Sequence, residues 1–129
     1  MSARGTSPRQ ALDLARRLVR HADPATAGVW PRVSALLARQ ALEASLLPLW
    51  DHRGVNLRGC SMLAQLICLR SYLGDAELAA RVGHAWSALS RACHHHAYEL
   101  APTAGELEGW FLVVAELIEA EPGSQAVSP

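Results

Sequence analysis

The chain has 129 residues, and half of them are apolar, so it is long enough for one domain with a buried core. Twelve basic residues, all of them arginine, balance twelve acidic residues, which makes the formal charge zero at pH 7. Such a chain lacks the broad positive field of non-specific nucleic-acid binders, so any contact with nucleic acid must be local. Its apolar runs are far shorter than the roughly 20 residues that cross a bilayer, and no membrane contact is expected.

The three cysteines, Cys60, Cys68 and Cys93, form neither a C-x-x-C pair nor the even set of a disulfide framework. The first residues of the sequence contain no apolar signal segment. We therefore expect a reduced, cytoplasmic protein.

The first two predicted helices are each marked by a proline near the start. Ser7 and Pro8 predict a cap and a first helical position, and the helix is expected to reach about His21. Pro31 begins a second helix that we expect to end near Trp50. The apolar residues that predict its packing face are Val33, Leu36, Leu37, Ala41, Ala44 and Leu47.

The third and fourth helices follow a segment without periodicity. Residues 51–59 contain two glycines and an asparagine, which indicates an exposed loop that could border a site. A third helix is predicted from Cys60 to Leu73, with Gly74 as a left-handed cap. Asp75 then caps a fourth helix, which is expected to be the longest, from about Ala76 to Leu100. The residues expected to face the core from this helix are Leu78, Val82, Ala85, Trp86, Leu89 and Cys93.

Pro102 interrupts the helical pattern, and Thr103 with Glu106 predicts a capping box for a fifth helix. Its predicted packing face contains Trp110, together with Leu107, Val114, Leu117 and Ile118. No strand-type alternation competes with the helical period anywhere in the sequence. The predicted fold is therefore an all-α, largely antiparallel bundle of five helices. One domain is expected at 8–121, between a flexible N-terminus at 1–7 and a flexible tail at 122–129.

The most distinctive segment runs from Arg91 to Tyr98 and also contains His94, His95 and His96. Arginine holds phosphate through a planar fork of donors, and histidine exchanges protons near neutral pH. These residue types within two turns of one predicted helix suggest chemistry on a phosphodiester.

Helical geometry limits which of these groups can act together. At about 100° per residue, Tyr98 falls nearly under Arg91, His95 about 40° away and His94 about 60° away. His96 lies about 140° away. If all these groups serve one site, the helix must bend or loosen near His96, or a second copy must supply the missing group.

Several other interpretations of the segment remain open. The three histidines could simply be exposed to water at the C-terminus of a helix, where the helix dipole favours positive charge. Alternatively, His96 could face the core together with Cys93. A zinc site is disfavoured because consecutive helical residues fan out by about 100° and cannot all grip one ion. Cys93 is expected to be an inert buried thiol rather than a nucleophile. The sequence contains no glycine-rich phosphate loop, so no nucleotide cofactor is expected. No metal is expected either, since the segment has no zinc-site motif.

Arg91, followed after four residues by His96, on a late helix of a small all-α bundle, resembles the R-x4-6-H motif of HEPN domains. With Tyr98 included, the segment resembles the R-x4-H-x-Y variant of HEPN toxins that are paired with minimal nucleotidyltransferase antitoxins. The stretch 38–44 looks like the early helix of that superfamily. The whole chain is also similar to a small actinobacterial HEPN-like family.

The resemblance implies a metal-independent endoribonuclease for single-stranded RNA that works as a symmetric homodimer. It assigns proton transfer to His96, with His95 as a competing candidate, and binding of the phosphate oxygens to Arg91. Tyr98 is implied as a regulatory tyrosine that a partner nucleotidyltransferase modifies. Many active members carry a polar residue directly after the arginine, where this chain has Ala92. The alternative is therefore a non-catalytic HEPN module that binds RNA, a nucleotide or a protein partner, as a component of a toxin–antitoxin or defence system.

Overall fold

A computed structural model describes residues 6–26, 29–94 and 100–120. Within these ranges the chain forms five α-helices and one short 3-10 turn, with no strand, which confirms the predicted all-α class. The helices are α1 (Pro8–Arg20), α2 (Trp30–Arg53), α3 (Met62–Tyr72), α4 (Ala76–Cys93) and α5 (Ala104–Ala120), and the turn is Pro24–Thr26.

Side-chain caps confirm the predicted starts of three helices, α1, α4 and α5. The Ser7 hydroxyl accepts the Gln10 amide at 3.1 Å, and the Asp75 carboxylate accepts the Leu78 amide at 3.0 Å. Thr103 and Glu106 form the predicted reciprocal capping box, with distances of 2.9 and 3.1 Å. Each cap satisfies amide groups that have no partner within the helix, so the starts of α1, α4 and α5 are fixed locally.

Four helices form an antiparallel bundle in the circular order α1, α2, α4, α5, and α3 packs against α4. Each helix therefore begins at the end of the bundle where its neighbours finish. At one end, the C-termini of α1 and α4 lie beside the N-termini of α2 and α5. The cross-helix contacts that establish these directions are Ser34 with Ala15, Glu43 with Trp86, Arg81 with Glu116, and Arg9 with Glu119.

The predicted packing face of α2 is only partly correct. Val33 and Leu36 are 40% and 41% exposed, whereas Ala41 is fully buried and Leu37 packs against the core. The other two predicted residues, Ala44 and Leu47, are half-buried. Helix α2 contacts α1, α4 and α5, so it buries more than one face, and small side chains allow its neighbours to approach closely. The buried residues of α2 are Pro31, Ser34, Ala35, Ala38, Ala41, Leu42, Ser45, Leu46, Leu49 and Trp50.

The predicted extent of α4 is also wrong, because the helix ends at Cys93 and not near Leu100. His94 adopts an extended conformation (φ −93°, ψ 144°), and its amide donates to the Arg91 carbonyl at 3.2 Å. The longest helix is instead α2, with 24 residues. It continues past Trp50 to Arg53 and is ended by Gly54 in the left-handed region, at φ 71°.

Helix α3 is held to the end of α2 by a polar contact that the apolar pattern did not indicate. The Trp50 indole donates to the buried Gln65 side chain at 2.9 Å, and the Gln65 amide donates to the Cys60 carbonyl at 3.1 Å. Leu63 and Ile67 are 62% and 74% exposed. Gly74, at φ 81°, confirms the predicted left-handed residue after α3.

The two predicted flexible ends lie outside the described residues, apart from Thr6 and Ser7. Between them, α1 begins at Pro8 and α5 ends at Ala120. No helix in the described ranges is long and apolar enough to cross a membrane.

Candidate functional site

Arg91 lies in the last turn of α4, is exposed to solvent, and lines an open groove of about 350 Å³ between α4 and α5. The antiparallel pairing of these helices places the end of α4 beside the start of α5. Leu100 and Pro102, which precede α5, also line this space. The other lining residues are Ala88, Ala92, Leu100, Pro102, Glu106 and Trp110.

A smaller cavity of about 20 Å³ is lined by the same arginine and also by Arg32 and His94. Arg32 comes from the first turn of α2, which meets the end of α4 because the two helices are antiparallel. Two guanidinium groups and one imidazole therefore lie around one end of the bundle. Arginine is suited to binding phosphate oxygens, so this end of the molecule has the residue types for a phosphate ligand.

The structure accounts for only part of the predicted set of site residues. Arg91 is exposed in a groove, and His94 is the exposed residue that ends α4. His95, His96 and Tyr98 lie outside the described residues. Because α4 ends at Cys93 and His94 is extended, the angles of a continuous helix do not apply to His94.

A polar cluster joins the middle of α2 to the second half of α4. One oxygen of Glu43 accepts hydrogen bonds from Arg39 Nε at 3.0 Å and from the Trp86 indole at 2.9 Å. The Arg39 guanidinium also lies 5.9 Å from the centre of the Trp86 ring, within the range of a cation–π contact. The hydrogen bond that Arg39 donates to Glu43 raises the pKa of Arg39 above its ordinary value. This cluster stabilises the packing of α2 against α4, which in turn brings Arg32 and Arg91 to the same end of the bundle.

Cys93 is half-buried beside this cluster. Burial raises the pKa of its thiol, and the nearby Arg39 guanidinium opposes that effect only in part. Since the thiolate is the reactive form, these surroundings favour the inert thiol expected from the sequence over a nucleophile.

The loop expected to border a site lies at the opposite end of the bundle. Residues 51–59 start in the last turn of α2, whereas Arg32 is in its first turn. The rise of 1.5 Å per residue separates Asp51 from Arg32 by about 28 Å. The loop has its own cleft, where Arg58 pairs with Asp51 at 2.9 Å, and it does not border the Arg91 groove.

Arg32, Glu106 and Trp110 line the groove or the adjoining cavity, although the sequence pattern indicates no functional role for them. The pattern predicts Glu106 only as a cap and Trp110 only as a packing residue. Arg32 follows Pro31 in a first helical turn, and nothing in the local sequence distinguishes it. Within the described ranges, no three His, Cys, Asp or Glu residues lie close enough together to hold a metal ion.

Searches of protein-family models, curated proteins and solved structures found no match to this chain.

The surroundings of Cys93 predict slow alkylation near neutral pH. Because its pKa is raised and the side chain is half-buried, iodoacetamide at pH 7.5 should modify the exposed Cys60 at least about tenfold faster. Peptide mass spectrometry over a time course measures both rates in the folded protein. Modification of Cys93 at the rate of Cys60 would show that its thiol is reactive. Unfolded protein is the control, because both cysteines should react at similar rates once they are fully exposed.

Proposed function

We propose that this protein is a HEPN-like, metal-independent endoribonuclease that cleaves single-stranded RNA. The observation that supports the proposal best is the position of Arg91. Its exposed side chain lines an open groove at the end of the bundle, directly before the histidine run, and Arg32 and His94 lie around the adjoining cavity. A polynucleotide can reach this arginine from solvent.

The proposed reaction uses the RNA's own 2′-hydroxyl as the nucleophile. A histidine removes the 2′-OH proton, the 2′-oxygen bonds to phosphorus, and the bond from phosphorus to the 5′-oxygen breaks. A protonated imidazole gives its proton to the departing 5′-oxygen, so the products are a 2′,3′-cyclic phosphate and a 5′-hydroxyl. Arg91 binds the non-bridging oxygens and stabilises the charge that develops on them. His96 is the proposed proton carrier, with His95 and His94 as the neighbouring alternatives.

A homodimer is part of the proposal, because two copies of the Arg91 segment would supply the base and the acid in one shared cleft. An exposed apolar stripe on α2, formed by Val29, Val33 and Leu36, lies at the same end of the bundle as Arg91. A second copy that packed on this stripe would bring the two grooves close together. The exposed Leu63 and Ile67 of α3 follow the loop at the far end, so contact through them would keep the grooves apart.

A second candidate function is a non-catalytic module that binds RNA, a nucleotide or a protein partner. It is favoured by Ala92, which stands where many active HEPN proteins have a polar residue. The same two arginines would then bind phosphate without cleavage. In a toxin–antitoxin or defence system, Tyr98 would accept nucleotidyl groups from a partner enzyme. We expect co-expression with that enzyme to raise the mass of the Tyr98 peptide, and an unmodified peptide would reject this role.

The central prediction is RNA cleavage in the presence of EDTA. Wild-type protein should cut unstructured RNA and leave cyclic phosphate ends. Arg91→Ala and His96→Ala should each lower the rate at least about 100-fold, because they remove charge stabilisation and proton transfer, respectively. Denaturing gels and end-group analysis measure the rate and the products. Arg81→Ala is the matched control, since Arg81 is on the same helix but pairs with Glu116 at the other end of the bundle.

The outcomes separate the two candidate functions. Undiminished cleavage by both variants would exclude Arg91 and His96 as the active groups, and loss of activity in EDTA would indicate a metal enzyme. If wild-type protein binds RNA but never cuts it, the binding module is correct. In that case Arg32→Ala should weaken binding, whereas Arg53→Ala, at the far end of α2, should not.

The dimer proposal predicts different effects for two exposed leucines on different helices. Leu36→Glu, within the α2 stripe, should shift the solution mass from dimer to monomer, because it buries a charge in the proposed interface. Leu63→Glu on α3 should leave the dimer intact. Sedimentation velocity at micromolar concentration measures both variants. A wild-type monomer would contradict the shared cleft, and dissociation by Leu63→Glu alone would place the interface on α3.

A further inference from the structure

We infer that the groove between α4 and α5 is a guanine-binding subsite, in which Trp110 stacks on the base and Glu106 accepts hydrogen bonds from its Watson–Crick edge. The inference rests on the proposed function, because it assigns the base next to the phosphate that Arg91 binds. It makes this groove the source of sequence preference in the RNA.

The groove has the size and the lining of a small-ligand site. Its volume of about 350 Å³ falls near the lower end of the roughly 300 to 1,000 Å³ of small-molecule pockets. Ala88 and Ala92 provide small apolar side chains on α4, and Pro102 closes the opposite side. Small side chains on α4 leave room for a planar ring beside α5.

Trp110 is the aromatic residue of this groove and is half-buried. A half-buried indole is held in place by its packing while part of its surface remains accessible. Proteins that bind single-stranded nucleic acid use such aromatic side chains as stacking surfaces for unpaired bases. Trp110 therefore accounts for base binding, but stacking alone does not distinguish one base from another.

Glu106 supplies the hydrogen-bond acceptors that distinguish one base from another. One of its oxygens accepts the Thr103 amide at 2.9 Å, and a carboxylate has about four acceptor positions, so capacity remains for a ligand. Guanine presents two adjacent donors, N1–H and the 2-amino group, on its Watson–Crick edge. Adenine and cytosine offer an amino donor next to a ring acceptor, and uracil offers one ring N–H. A carboxylate therefore matches guanine best.

The charges of the groove support a base rather than a second phosphate next to α5. Arg91 and Glu106 line the same space from facing helices. A phosphate near Glu106 would meet like charge, which is unfavourable in a partly enclosed site. A nucleotide with its phosphate at Arg91 and an uncharged, donor-rich base at Glu106 satisfies both groups.

Binding of non-cleavable RNA tests the subsite. The probes are fluorescent uridine-rich 2′-O-methyl octamers with guanine, inosine or adenine at one central position, compared at one fixed salt concentration. The 2′-O-methyl group removes the nucleophile, so binding is measured without cleavage. Wild-type protein should prefer guanine over adenine at least about tenfold. Inosine, which lacks only the 2-amino donor, should lie between them.

Two variants separate stacking from recognition. Glu106→Gln should reduce the guanine preference to less than about threefold, while the fold is retained because glutamine also serves in a capping box. Trp110→Ala should weaken all three RNAs, and Trp110→Phe should restore most of the affinity. Glu108→Gln is the matched control, since Glu108 is exposed on the same helix and does not line the groove.

Four results would overturn the inference. Equal affinity of wild-type protein for all three RNAs would leave no base recognition to explain. Tighter binding of every RNA by Glu106→Gln would show that the groove holds phosphate next to α5. An absence of RNA binding would reject both the subsite and the proposed function. In contrast, cleavage that depends on Arg91 and His96 without any guanine preference would reject the subsite alone.

Discussion

The antiparallel contact between α2 and α4 is the constraint on which the rest of the site depends. Arg32 and Arg91 are distant in the sequence, and they meet because the start of α2 lies beside the end of α4. Glu43 stabilises the contact between α2 and α4, since it accepts hydrogen bonds from both Arg39 and Trp86. Without that carboxylate, a half-buried guanidinium and an indole N–H would lose their acceptor, which is more costly than the loss of an exposed ion pair. The position of the arginines therefore depends on a residue that lies outside the groove.

The local beginnings of the helices could be predicted from the sequence, and their ends and buried faces could not. Ser7, Asp75 and Thr103 cap helices through bonds to residues three positions away, so the signal is contained in four residues. The buried face of α2 is set by three neighbouring helices. In the first half of the helix it uses Ser34, Ala35 and Ala38, where the apolar pattern favoured larger leucine and valine side chains. A hydrophobic period cannot identify a face that is chosen by close approach rather than by side-chain size.

The end of α4 is a second feature that the sequence pattern does not predict correctly. Pro102 is a clear signal that a helix must stop, but the helix stops much earlier, at Cys93. Cysteine and histidine are weak helix formers, and a run of them lowers the gain from each further turn. Arg91 could be recognised from its motif, because one segment carries it. Arg32, Glu106 and Trp110 could not, since their role appears only when the bundle places three separate segments around one end.

The zero net charge of the chain does not exclude a local group of like charges. Because α1 also finishes at the Arg91 end, the arginines of its second half lie there, together with Arg32. At the other end, Glu119, Glu116 and Asp51 form ion pairs with arginines. With a Debye length of about 8 Å at physiological salt, a ligand close to one end is affected mainly by the charges of that end. In the proposed function, the arginines near Arg91 would therefore supply the local attraction for phosphate. A neutral protein lacks the broad affinity of a basic protein for nucleic acid, so discrimination between RNA sequences must come from close contacts. In the described part of the chain, the groove that combines a cation, an indole and a carboxylate offers such contacts.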